Sequence, residues 1–294
     1  MAKTATRLPQ VQEETGYERH PPRMGFFTDT SICIGCKACE VACKEWNRLP
    51  ADPPFTFTGL SFDNTEQLSA SSWRHVAFVE QRKPMRAEAG DGTGDLRWLM
   101  ASDVCKHCTD AACLDVCPTG SLFRTEFGTV VVQSDICNGC GYCVSACPYG
   151  VIGKREDDGL AWKCTLCYDR IGDGLTPACA QACPTQSIQF GELDDLLDRA
   201  AARVETLHRD GVTDARLYGH DPRDGVRGNG AFFLLLDRPE VYGFPPAPKD
   251  TTRDLPSMWR HAGVAALTLA VTIATAFAAA SFEFRGGRPA RVRT

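Results

Sequence analysis

The sequence has no G-x-x-x-x-G-K-[ST] loop and no Rossmann glycine run, which removes two common ways of cradling a nucleotide phosphate. It has no nucleophile motif and no H-E-x-x-H pair, so neither covalent hydrolysis nor zinc-protease chemistry has residues to act through. An excess of one charge is also missing: 32 Lys and Arg stand against 37 Asp and Glu, for a net charge of −5. With no basic, aromatic-interleaved run, a nucleic-acid surface is not expected. Residues 1–24 are polar and carry Pro9, Pro21 and Pro22, without the apolar stretch of a signal peptide or a twin arginine. They read as a tail, or as an arm laid on a partner. At 294 residues and 43% hydrophobic content there is room for one large or two small domains. What these absences leave is a carrier with no substrate site of its own.

Cysteine is what the chain has in abundance. Sixteen stand in four groups of four, with none left over: Cys33, Cys36, Cys39, Cys43; Cys105, Cys108, Cys113, Cys117; Cys137, Cys140, Cys143, Cys147; and Cys164, Cys167, Cys179, Cys183. The first and third groups read C-x-x-C-x-x-C-x-x-x-C, the run of a bacterial [4Fe–4S] ferredoxin. The second and fourth are stretched, with four and eleven residues before the third cysteine. Three groups end in Cys-Pro, where a proline turns the chain at a position whose N–H a helix could not have used. Disulfides suit small secreted chains better than one of this size. Zinc accepts C-x-x-C pairs but explains neither the third cysteine nor the recurring Cys-Pro. The expected cofactors are four [4Fe–4S] clusters, their iron held through these sixteen thiolates.

In two-cluster ferredoxins the fourth cysteine of each run ligates the other cluster. Nineteen residues separate Cys117 from Cys137, a normal gap within one such unit. The second and third groups are therefore expected to exchange fourth cysteines, and the first and fourth to do the same across the fold. The cluster sets are then Cys33, Cys36, Cys39 and Cys183; Cys43, Cys164, Cys167 and Cys179; Cys105, Cys108, Cys113 and Cys147; and Cys117, Cys137, Cys140 and Cys143. The fold class expected is α+β, two bacterial-ferredoxin-like units with a C-terminal transmembrane helix. Residues 25–99 with 155–191 would form the unit of motifs one and four. Residues 100–154 would form that of motifs two and three.

A 61-residue insertion separates Cys43 from Cys105. Within it His75–Glu80 and Leu96–Met100 read as strands either side of a Gly90–Gly94 turn. Val130–Val132 reads as a short strand. Residues 192–238 read as a cap: a helix whose Leu193, Leu196, Leu197, Ala200, Val204 and Leu207 share one face, stopped at Gly211, then a strand at Ala231–Leu236. Residues 239–258, with five prolines, read as an extended linker. Lys37, Lys106 and Lys163 adjoin cluster cysteines, as tuning cations or as solvated and partner-contacting surface lysines. His107, between Cys105 and Cys108, reads as a neighbour of the cluster, since no cysteine is missing.

Ala262–Phe282 is 21 residues without a charge, nine of them alanine. It is long enough to cross a bilayer, marginal by itself, and small-residue-rich enough to pack on other membrane helices. A helix over 259–284 is expected to span once, followed by a basic tail, 285–294, carrying Arg285, Arg288, Arg291 and Arg293. The positive-inside rule places that tail in the cytoplasm and the cluster body outside it. With no leader expected on the chain, export would follow folding, attached to a partner with a twin-arginine signal.

The four groups in this order, with one terminal span, resemble the iron–sulfur (beta) subunit of membrane-bound respiratory formate dehydrogenase. The likeness rests on Cys33-Ile34-Gly35-Cys36-Lys37-Ala38-Cys39, Glu45-Trp46-Asn47, Ser69-Ala70-Ser71-Ser72-Trp73, Cys137-Asn138-Gly139-Cys140-Gly141-Tyr142-Cys143 and Lys163-Cys164-Thr165-Leu166-Cys167. The cluster motifs alone are shared with subunits of dimethyl sulfoxide reductase, polysulfide reductase and some hydrogenases. The resemblance implies an alpha subunit oxidising formate on a molybdenum or tungsten bis-pterin cofactor, and a cytochrome b gamma subunit reducing quinone. This chain would pass electrons between them in anaerobic respiration and would not be catalytic alone. The same role in another molybdopterin oxidoreductase or a hydrogenase, and a soluble polyferredoxin, stand as alternatives.

Overall fold

The computed structural model describes residues 7–51, 57–59, 62–82 and 96–286. Residues 1–251 form one compact unit and residues 252–294 a second. The centre of the first unit is the strand Met24–Asp29, buried along nearly its whole length. It pairs in parallel with Ala231–Leu235 and antiparallel with Ile188–Glu192, and Arg216–Tyr218 completes a four-stranded sheet. Ala231–Leu235 reads Ala-Phe-Phe-Leu-Leu and is buried on both faces. A continuous apolar run of that kind belongs in a sheet interior, not at an edge. Phe27 lies opposite Phe232 in the register, and their rings stack at 5.3 Å.

The helix Leu193–Arg209 packs on this sheet. It buries Leu193, Leu196, Leu197, Ala200 and Leu207 at helical spacing, with acids in its first turn and His208 and Arg209 in its last. Gly211, at φ +84°, follows its end, where the sequence placed the stop. The insertion folds into a long hairpin, Arg74–Arg82 against Leu96–Val104. Both strands outrun the expected ranges, and the Gly90–Gly94 turn lies outside the described residues. Val130–Val132 pairs with Leu122–Arg124, and Gly153–Lys154 with Ala161–Trp162. Short helices follow or enclose the cysteine groups: Ala38–Trp46, Ala112–Asp115, Tyr142–Ala146, Tyr168–Gly172 and Ala178–Gln181.

Three segments differ from the sequence reading. The N-terminal stretch is no free arm. Leu8, Val11 and Gln12 are buried, Arg7 bonds to Asp198 at 2.9 Å, and the buried Arg23 donates to the Pro9 carbonyl at 2.9 Å. Two apolar side chains among polar neighbours suffice to dock a short segment when a buried guanidinium also holds its backbone. Of the expected cap, the helix covers the sheet, while Ala231–Leu235 lies beside Met24–Asp29 within the sheet itself. The presumed linker is docked over its first half. Pro239–Tyr242 is a 3-10 turn, and the Phe244 ring packs against Phe233 at 5.0 Å and Tyr218 at 5.4 Å. The Tyr218 hydroxyl donates to the Pro245 carbonyl at 2.6 Å. Prolines set the backbone course there, but aromatics between them supply the adhesion.

The second unit is the helix Leu255–Gly286, longer at its N-terminal end than the expected 259–284. The most apolar 18-residue window of its stretch Leu255–Ala280 has a mean hydropathy of 2.0, and none of that window is buried. Thr268, Thr272 and Thr275 turn their hydroxyls back to the carbonyls of Ala265, Thr268 and Thr272. Their polar groups are thus satisfied within the helix, as a hydrocarbon surrounding requires.

Candidate functional site

All sixteen cysteines are free thiols in the structure. Two cavities show how eight of them group. One is lined by Cys33, Cys36, Cys39 and Cys183, with Ile34, Lys37 and Ser102. The other is lined by Cys105, Cys108, Cys113 and Cys147, with Lys106, His107 and Lys163. In each, three thiols of one sequence group meet the fourth of another. The remaining eight have electrostatic neighbours in the same pattern. Burial raises the Cys43 thiol strongly, and Cys164, Cys179 and Cys167 raise it further. Burial pushes Cys143 up to about 11, with Cys137, Cys140 and Cys117 adding to it. Among the described residues no three His, Cys, Asp or Glu side chains converge on a point suited to one metal ion. Four soft sulfur donors around a cavity match a polynuclear cage instead.

Backbone conformation explains why short loops can wrap a cage. The second residue after the leading cysteine is left-handed in every group: Gly35 at φ +65°, His107 at +47°, Gly139 at +69° and Leu166 at +59°. Glycine meets this need without strain in the first and third groups. At Gly35 a Cβ would also lie 2.6 Å from the Phe78 ring. His107 and Leu166 hold the same conformation at a cost of order 1–3 kcal/mol, offset by burying both side chains. The left-handed step turns backbone N–H groups toward sulfur: Leu166 N–H lies 3.3 Å from Cys164 Sγ, and Gly35 N–H bonds the Cys33 sulfur.

Side chains add further donors. Ser102 Oγ is 3.2 Å from Cys39 Sγ, and Arg74 Nη2 donates to Cys179 Sγ at 3.2 Å. Thr119 Oγ1 lies 3.6 Å from Cys117 Sγ and Thr185 Oγ1 3.8 Å from Cys183 Sγ. Asn47 Nδ2 reaches Cys43 Sγ at 3.7 Å. The two threonines had a sequence signal in the repeated Cys-Pro-Thr, Cys117-Pro118-Thr119 and Cys183-Pro184-Thr185. Arg74 and Ser102 had none, because only hairpin register brings them together.

The lysines separate into two kinds. Lys37 is partly exposed and pairs with Glu40 and Asp63. Lys106 and Lys163 are both 1% exposed, so for them the surface reading is wrong. Lys106 pairs with Asp103, bonds the Val104 carbonyl at 2.9 Å and sits over the Phe244 ring at 4.8 Å. Lys163 donates to the carbonyls of Val130 and Cys164, and no carboxylate among the described residues pairs with it. Burial pushes the Cys113 thiol up to about 12, and the Lys163 charge opposes that rise. His107 is buried with Nδ1 accepting from the Val130 N–H at 3.1 Å, so its ring is neutral. Burial, reinforced by Lys163, holds its pKa well below the usual imidazole range.

Electrostatic neighbours link the thiols in series. Besides burial, Cys39 feels Cys179, Cys164 feels Cys105, and Cys113 feels Cys143. The inner sets are more enclosed, with Cys43, Cys105, Cys164, Cys167 and Cys179 all buried. Each outer set reaches the surface at one thiol, Cys36 or Cys140. Exposed apolar side chains stand beside both: Ile34 at one end, Ile136 and Tyr142 at the other.

Comparison with known proteins agrees with the donor set. Two family profiles, each described as a 4Fe-4S dicluster domain, match residues 32–121 and 96–193. Two dicluster domains and sixteen cysteines correspond to four [4Fe–4S] clusters. The nitrate-inducible formate dehydrogenase iron–sulfur subunit of Escherichia coli K12 is 39% identical over 265 residues, 89% of this chain and 84% of the relative. The formate dehydrogenase iron–sulfur subunit of Haemophilus influenzae is 38% identical over 87% of this chain and 76% of its own length. A subunit of the Escherichia coli anaerobic dimethyl sulfoxide reductase is 37% identical over 58% of this chain and 75% of its own length.

Proposed function

Since the chain belongs to the family of formate dehydrogenase iron–sulfur subunits, we propose that it carries electrons from a formate-oxidising catalytic subunit to a quinone-reducing membrane subunit. The observation that carries the reading is the series of neighbouring thiols, more buried in the middle and exposed at Cys36 and Cys140. Each cubane, when bound, supplies a one-electron couple. The chain's residues do the rest. Cys33, Cys36, Cys39 and Cys183 hold one end; Cys43, Cys164, Cys167 and Cys179, then Cys105, Cys108, Cys113 and Cys147, hold the middle; Cys117, Cys137, Cys140 and Cys143 hold the other end. Leu166, Val130 and Ile152 exclude water from the middle, which keeps the local dielectric low and magnifies nearby charges. No acid–base or nucleophilic group is part of this task, so the subunit is not catalytic alone.

The partners proposed are an alpha subunit with a molybdenum or tungsten bis-pterin cofactor and a gamma cytochrome b in the membrane. The Leu255–Gly286 helix supplies a single span, with the basic C-terminus cytoplasmic and the cluster body exported with its partner. Purification of the membrane complex through a tag on this chain tests the proposal. Expected are two co-purifying subunits, about sixteen irons per chain for four cubanes, and formate-to-quinone activity. Protease treatment of spheroplasts should digest the cluster body without lysis; digestion only after lysis would reverse the orientation. A second reading keeps the carrier role but serves dimethyl sulfoxide reduction, and the similarity to the subunit of that reductase supports it. Activity with sulfoxide and none with formate would select it.

Buried cations near sulfur favour the reduced, more negative cluster. Lys163→Met is therefore expected to shift one midpoint negative by about 60 mV, a tenfold step for a one-electron couple. The cluster affected is that of Cys105, Cys108, Cys113 and Cys147. A redox titration followed by electron paramagnetic resonance (EPR) reads this directly, and four unchanged midpoints would remove Lys163 from the tuning role.

A further inference from the structure

Arg74 opens the first strand of the hairpin, and its position in the fold is unusual. It is 2% exposed, its guanidinium lies over the Phe26 ring at 4.9 Å, and among the described residues no carboxylate pairs with it. Its hydrogen bonds run in two directions. Nη2 donates to Cys179 Sγ at 3.2 Å. Nη1 donates to the Ser102 carbonyl at 3.1 Å and approaches Ser102 Oγ at 3.4 Å. That hydroxyl is itself 3.2 Å from Cys39 Sγ. Cys179 and Cys39 belong to different thiol sets, neighbours at one end of the series. We propose that Arg74 is the shared counter-cation of these two clusters and sets their potentials as a pair, an inference that rests on the cluster-carrier reading above.

The physical case begins with cost. A buried guanidinium with no anion is among the most unfavourable groups a core can hold. The negative groups that face this one are the sulfurs of Cys179, Cys39, Cys164 and Cys43. A guanidinium is not deprotonated in a protein, so the charge is permanent, and it is balanced by two clusters together. The electron that leaves one cluster is the electron that enters the other. No bond forms or breaks, and Arg74 neither gains nor loses a proton. A cation within reach of both clusters stabilises the electron on either, so both are easier to reduce and the step between them stays small. The guanidinium fork is what allows two directions at once; a lysine ammonium at the same place is a single point charge.

The test is an EPR-monitored redox titration of the purified complex with Arg74→Gln, Arg74→Lys and Ser102→Ala, alongside iron content. With four clusters retained, Arg74→Gln is expected to move two midpoints negative together, each by at least a tenfold change in its reduction equilibrium, about 59 mV. The other two should stay in place. Arg74→Lys should restore part of the shift. Ser102→Ala should move only the cluster of Cys33, Cys36, Cys39 and Cys183. Four unmoved midpoints, or only one moved by Arg74→Gln, would overturn the proposal. If Arg74→Gln loses clusters, Arg74→Lys and Ser102→Ala decide it: no shift in either overturns it, and the pattern above supports it. Chemical reductant sets the potential in this titration, so the result does not depend on whether formate is the physiological donor. Iron content and formate activity of the unaltered complex test that separate reading.

Discussion

Replacing Cys147 by Ser is expected to damage the cluster of the second sequence group, not the third in which Cys147 stands. Cys147 lines the cavity of Cys105, Cys108 and Cys113, so that cluster loses a thiolate. Iron should fall from about sixteen toward about twelve atoms per chain as one cubane of four irons is lost. Electron transfer through the subunit should then collapse, because an inner member of the series has no bypass. The reciprocal change, Cys117→Ser, should spare that cluster and damage the one held by Cys137, Cys140 and Cys143, whose electrostatic neighbour Cys117 is. EPR spectra of the two variants distinguish the assignments. If Cys147→Ser instead removes the signal of the Cys137, Cys140 and Cys143 cluster, each group keeps its own four ligands and the exchange is wrong.

Ala270→Arg carries the second large effect. The span is rich in alanine, which adds little to insertion, and an arginine at the centre of a membrane helix costs roughly 2.5–3.5 kcal/mol on an insertion scale. That corresponds to about a hundredfold change in the insertion equilibrium. The carbonate-resistant fraction of the full-length chain, made in the presence of membrane vesicles, should fall sharply. Ala270→Leu should raise it, since leucine contributes roughly −0.3 to −0.6 kcal/mol at the same depth. Equal carbonate resistance in all three proteins would show that the helix is held by protein contacts instead of lipid.

The cysteine framework was legible because its spacing is a covalent constraint: a thiolate two or three residues from the next can reach only a nearby iron. The helix of 193–209 was legible from apolar periodicity, the strand Ala231–Leu235 from its continuous apolar run, and the terminal apolar helix from length and lack of charge. Arg74 was not legible. Its neighbour Ser102 is 28 residues away, and only the pairing of Arg74 with Val104 and of Val76 with Ser102 brings the two together. Lys106 and Lys163 were ambiguous because a residue beside a ligand can face the cluster, the core or the solvent, and backbone direction decides. Leu8 and Val11 hid among polar residues, and Tyr242 and Phe244 hid among prolines. In each case a few apolar groups outweighed a local composition that argued for a free segment.

The cavity that unites Cys33, Cys36 and Cys39 with Cys183 imposes an order on biosynthesis. Its first thiol leaves the ribosome 150 residues before its last, which at 5–20 residues per second is roughly 8–30 s. The strand Met24–Asp29 waits too, since both of its partners lie beyond residue 187. The set ending at Cys143 is the first whose ligands are all translated, and the set ending at Cys147 follows four residues later. The maturation machinery therefore meets a nascent chain whose earliest cysteines are the last to be closed, and those thiols need protection from oxidation through that interval.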